Sequence, residues 1–189
     1  MPLAQRGRAQ GKSSVLDWYT TVFEVIDMRS FSNLWYWIGL AVLWSAASHF
    51  VMGVPFDLVG RARRKGGQFL IDMNHLAQIK ARRLRDVYAR AGVWIIGGIA
   101  FVLTILAVTG FYYGVEFAQA VFLLVLPMSF VGAMRIRLAY RIERDDILDE
   151  ALCRALTRHR FGIQVIGMIS VFLTSIWGMY QNMNIGVLG

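Results

Sequence analysis

Long uncharged stretches alternate with charged ones along this chain, and the alternation predicts its elements. No Asp, Glu, Lys or Arg occurs in residues 30–56 or in residues 161–189. Residues 91–134 carry a single charge, Glu116. A helix needs about 20 mostly apolar residues to cross a bilayer. The pattern therefore predicts spans at 31–54, 91–112, 115–134 and 161–180. The expected fold is an all-α integral membrane protein. It is a bundle of four transmembrane helices with helical cytoplasmic extensions at 57–90 and 135–160.

Local signals refine each element. Trp35, Tyr36 and Trp37 suit an interface, where amphipathic rings are favoured, and Pro55 is expected to end the first helix. Gly66 and Gly67 separate a basic cluster from a helical stretch. Phe69, Met73, Leu76, either Ile79 or Lys80, Leu84 and Val87 line one face of that stretch. It is expected to run unbroken into the second span, which ends in a tight turn at Tyr113 and Gly114. Pro127 lies inside the third span and should free the carbonyl of Leu123. Residues 1–13 read as a polar basic tail, and residues 14–28 as an amphipathic helix capped by Ser14 and suited to the headgroup region. No cleavable signal peptide is visible. Residues 1–30 thus form one unit and 31–189 the bundle.

Basic residues orient the bundle. Of the 20 Lys and Arg, 4 precede the first span, 9 follow it within 57–90, and 7 lie within 135–160. Both charged segments are then cytoplasmic, and the C-terminus faces the periplasm. Four full spans place the N-terminus outside as well. The alternative is three spans plus a re-entrant or interfacial segment at 31–55, which keeps the N-terminus inside.

Composition agrees with this reading. Hydrophobic residues make up 57% of the 189 and charged residues only 17%, against about 25% in a soluble domain. The formal charge of +8 sits beside apolar spans, so it points to anionic lipid headgroups rather than nucleic acid. The single cysteine, Cys153, supports no disulfide framework, zinc site or iron–sulfur cluster.

Each candidate site has a functional and a plain reading. Arg61, Arg63, Arg64 and Lys65 form a run that either anchors topology or contacts lipid or a partner; each cation near an anionic leaflet contributes about 1 kcal/mol. His49 is an ionisable residue inside a span, either a polar functional site or a neutral hydrogen-bonded imidazole. A haem held by two histidines is disfavoured, because His75 and His159 lie in the charged segments. Small residues at four-residue steps let helices approach closely: Ala41, Ser45 and Gly53 with His49 among them, Gly97 and Gly98, and Ser170, Thr174 and Gly178. They pack the bundle or build an oligomer. Asp145, Asp146, Asp149 and Glu150 suit helix N-terminal charge better than a cation site. Glu116 reads as a turn residue, and Cys153 as unreactive. No phosphate-cradling loop, HExxH, CxxC or nucleophile elbow occurs. The sequence nominates no catalytic residue, metal or cofactor.

Residues 16–59 (LDWYTTVFEVIDMRSFSNLWYWIGLAVLWSAASHFVMGVPFDLV) and 114–132 (GVEFAQAVFLLVLPMSFVG) resemble a family of alphaproteobacterial inner-membrane proteins. Its members often carry the label "component of SufBCD complex". The resemblance implies a membrane accessory to iron–sulfur assembly, not a catalyst, since the chain has one thiol and no nucleotide motif. The expected function is a non-enzymatic inner-membrane scaffold, self-associating or bound to other membrane subunits through its basic cytoplasmic helices. The competing reading is a homo-oligomeric, anion-favouring channel lined by Ser45, His49 or Thr174.

Overall fold

The computed structural model describes Phe31 and residues 34–186, with side chains up to Met183. The expected tail and amphipathic helix at 1–30 lie outside the described residues. The remainder is nearly all helical. Helix α1 (Leu34–His49) leads into strands β1 (Phe50–Val51) and β2 (Val54–Pro55), then helices α2 (Phe56–Lys65) and α3 (Gln68–Ala107). A π-helical turn (Val108–Tyr112) extends α3, and helices α4 (Glu116–Arg144) and α5 (Asp149–Gly186) follow.

Three helical stretches are long and apolar enough to cross a membrane: Gln68–Tyr112, Glu116–Arg144 and Asp149–Met183. Apart from Glu116, each carries its charged residues at the same end of the bundle, because α3, α4 and α5 pack antiparallel in chain order. The first expected span is shorter than 31–54, since α1 has 16 residues and ends at His49. A hairpin stops it before Pro55 is reached. Phe50 pairs with Pro55 and Val51 with Val54, around a two-residue turn with Met52 at φ 55° and Gly53 at φ 78°. Two positive φ angles match the right-handed twist of the flanking strands, and Gly53 meets that demand without strain.

Despite its length, α1 reaches both ends of the apolar bundle. Ahead of it, the Phe31 amide donates to Glu116 Oε1 at 3.0 Å, at the uncharged end. Behind it, Val51, Met52 and Val54 are buried in the charged end's core.

The densest core lies in the charged layer, not among the apolar spans. Met73, Ala77 and Ala81 of α3 repeat every four residues and meet Leu138, Ala139 and Ile142 of α4. Leu152 and Leu156 of α5 and Val59 and Ala62 of α2 close the cluster. Within the apolar half, α1 lies against α4 and α5 through Leu40, Trp44, Ala47, Val131 and Ile163. None of α3's most apolar window is buried, compared with 22% in α4 and 28% in α5. The protein therefore builds a rigid platform at its charged end, below a thinner apolar bundle.

Candidate functional site

Helix α2 is amphipathic because Val59 and Ala62 turn into the platform core while Arg61, Arg63, Arg64 and Lys65 stay exposed. Asp57 in its first turn pairs with Arg61. The Lys65 ammonium lies 5.6 Å from the Phe69 ring centre, a cation–π distance. Gly66 and Gly67, with φ of 60° and 54°, turn the chain into α3. The nominated basic run is thus an exposed rim of the platform.

The acidic cluster does not ride on one helix. The charged segment 135–160 is a helical hairpin, with Asp145 and Asp146 in its turn and Asp149 and Glu150 in the first turn of α5. Asp145 pairs with Arg141 and Arg144. The Asn74 amide donates to Asp149 Oδ1 at 2.7 Å and accepts the Asp149 amide proton at 3.0 Å, which ties α5's start to α3. Of the four acids expected at a helix N-terminus, only Asp149 and Glu150 lie in one. Among the described residues, no group of three His, Cys, Asp or Glu side chains is placed to hold a metal. The Cys153 thiol is buried and donates to Met73 Sδ at 3.5 Å.

Two nominated packing stripes are exposed. Ala41, Ser45 and His49 are exposed on α1, Ser45 at the edge of a groove shared with α5, and Gly53 sits in the hairpin turn rather than on that helix. His49 stacks edge-on against Phe50, with ring centres 4.9 Å apart. Leu40, Trp44 and Ala47 form the face of α1 that is buried. Gly97 and Gly98 are exposed, and an added Cβ would meet nothing within 4 Å at either. Among the described residues, they pack against no other helix.

The third stripe is enclosed. Ser170, Thr174 and Gly178 are buried on α5. The Ser170 hydroxyl donates to the Leu123 carbonyl at 3.5 Å, the carbonyl that Pro127 deprives of its helical donor. A Cβ on Gly178 would come within 3.2 Å of Phe31, and one on Gly167 within 2.8 Å of Trp44. These close approaches seat α1 on α5.

Sequence reasoning missed a polar node near the uncharged end. Gln119 is buried between two alanines of α4. Its Nε2 donates to the Gly110 carbonyl of the π-helical turn at 2.8 Å. Its Oε1 accepts from Trp177 Nε1 at 2.9 Å and from Gln181 Nε2 at 2.5 Å. The signal was a lone amide flanked by small residues inside an apolar run. Glu116, beside it, is tied to Phe31 rather than free in a turn.

Sequence reasoning also missed how the platform's charges are distributed. Between α4 and α5 lies a groove of about 520 Å³ with Arg137 and Arg141 on one wall and Arg154 and Arg158 on the other. Leu138, Ile147, Ala151 and Ala155 form its apolar floor. Among the described residues, only Arg141 of these four arginines has an ion-pair partner, Asp145 at 3.7 Å. Four cations around an apolar strip form a surface complementary to an acidic, amphipathic ligand.

No protein-family model, curated protein or solved structure matches the chain.

Proposed function

We propose that this protein is a non-enzymatic, multi-pass membrane scaffold that docks a partner on its basic platform. The observation that carries this reading is the arginine-walled groove on a densely packed layer outside the apolar bundle. Exposed like charges around an apolar floor repel weakly while screened by solvent and gain attraction beneath an acidic partner. The occupant is accordingly an acidic amphipathic segment of another membrane-associated protein. The basic residues concentrated on this platform favour the cytoplasmic side, and the resemblance over 16–59 and 114–132 supports a bacterial inner membrane.

The contacts of α1 favour four crossings over three plus a re-entrant segment. Its 16 residues rise about 24 Å. The extended residues Phe50 and Val51 that follow add about 3 Å each, enough for the roughly 30 Å of hydrocarbon. The N-terminus then lies outside.

The channel reading loses one of its lining residues. Thr174 is fully enclosed and donates to the Ser170 carbonyl at 2.8 Å, so it cannot face an axis between subunits. Ser45 and His49 are exposed, with Ser45 lining a groove between α1 and α5. Reversing the groove with Arg137→Glu, Arg154→Glu and Arg158→Glu tests the docking reading. Co-purification of partner proteins from native membranes should fall at least tenfold, with the variant still inserted. Unchanged co-purification contradicts it.

A further inference from the structure

A second basic cleft lies where α3 and α4 meet the hairpin turn. Lys80 and Arg83 of α3 and Arg135 of α4 converge there with Met52, Leu84 and Val87 around about 320 Å³. None of the three cations is in an ion pair among the described residues. Arg135 is half-buried, and its Nε is enclosed with no hydrogen-bond partner.

Acids stand within reach but are used elsewhere. Asp86 and Glu143 both pair with Arg85. Another boundary cation, Arg160, rests on the Phe56 ring at 3.9 Å. The cations of this cleft are left facing one another with one guanidinium nitrogen enclosed, and an anion shared among them relieves their repulsion. The Lys80 stem passes beside the hairpin turn, 3.5 Å from where a Cβ on Gly53 would stand, which directs the ammonium toward the cleft.

Depth identifies the anion. Arg135 directly follows the apolar stretch of α4, and Val87 lies one turn before that of α3. The cleft is therefore at headgroup height, with cations for a phosphate and Met52, Leu84 and Val87 for the glycerol and upper acyl carbons. Arg83 also lines an adjoining cleft of about 560 Å³ with Arg82 and Arg90. We propose that Lys80, Arg83 and Arg135 form a discrete site for the phosphate headgroup of an anionic phospholipid, distinct from the exposed run at 61–65. The proposal rests on the membrane placement above but not on partner docking.

The full chain, in nanodiscs of phosphatidylcholine with phosphatidylglycerol, is released into mild detergent and its retained lipid counted by native mass spectrometry. Wild type should keep phosphatidylglycerol over phosphatidylcholine. The triple variant Lys80→Gln, Arg83→Gln, Arg135→Gln should bind it about 100-fold more weakly, at about fivefold per cation. Arg135→Lys, which keeps the charge, should retain it. So should the control Arg61→Gln, Arg63→Gln, Arg64→Gln. Equal retention in the triple variant, equal loss in the control, or displacement of the lipid by excess inorganic phosphate overturns the assignment. Resistance of each variant to alkaline extraction separates loss of this site from loss of membrane placement.

Discussion

One amide, Gln119, joins three helical elements near the uncharged end of the bundle. Replacing it with Leu leaves the Gly110 carbonyl, the Trp177 N–H and the Gln181 amide without their partners. Unsatisfied buried groups cost more than the bonds contributed, and interhelical bonds in lipid are individually modest. Gln119→Leu should therefore cost about 2 kcal/mol, read as a lowered unfolding midpoint in mild detergent. Gln164→Leu, on an exposed face, should leave the midpoint unchanged. A similar shift for both would count against the node. At the hairpin, Gly53→Ala has room for its methyl but must hold φ 78°, so it should cost about 1 kcal/mol by the same measurement. What was legible at this scale was spacing. A four-residue step of small side chains marks a helix face, but it does not say what lies opposite. Ser170 stands against Leu123 of α4, Gly178 stands against Phe31 and Thr174 is enclosed, whereas Ala41, Ser45 and His49 are exposed. The choice left open between Ile79 and Lys80 had the same origin. Ile79 is 62% exposed, and Lys80 takes the inward position because its long stem can lie along the hairpin while its ammonium stays outside.

Among the elements, α3, α4 and α5 were readable because charge-free runs of about 20 residues have few soluble alternatives. The hairpin after α1 was not, because a turn at Met and Gly carries only half of the usual sequence signal, and Pro55 seemed a sufficient helix stop. The acidic turn was hidden for a related reason: Asp145 and Asp146 fit a helix end and a helix start equally well until Arg141 and Asn74 are seen to claim Asp145 and Asp149. The reach of α1 makes a sharp prediction. In a Cys153→Ala background, Leu34→Cys and Tyr113→Cys should react with an impermeant thiol reagent from the periplasmic side. Asp146→Cys should react only from the cytoplasmic side. Labelling of Leu34→Cys from the cytoplasmic side would restore the re-entrant alternative. The close contact of Gly167 with Trp44 predicts that Gly167→Leu forces α1 off α5, read as a red-shifted tryptophan emission against a Gly97→Leu control.

The whole molecule puts its best-packed core outside the apolar bundle and leaves α3's apolar face bare. A chain made only to cross the membrane has no need of such a platform. On the proposed reading, two of the platform's basic clefts account for its charge: one at headgroup height would take lipid, and the other, between α4 and α5, an acidic partner. Contacts with an acidic partner should weaken as salt rises, because exposed charges are screened over about 8 Å at physiological ionic strength. The most direct test is the mass of the protein released from native membranes in mild detergent at low salt. The account predicts a discrete species well above the 21.4 kDa chain, containing a second, acidic protein and falling to the monomer with Arg137→Glu, Arg154→Glu and Arg158→Glu. A wild-type protein that already migrates as a lone monomer would contradict it.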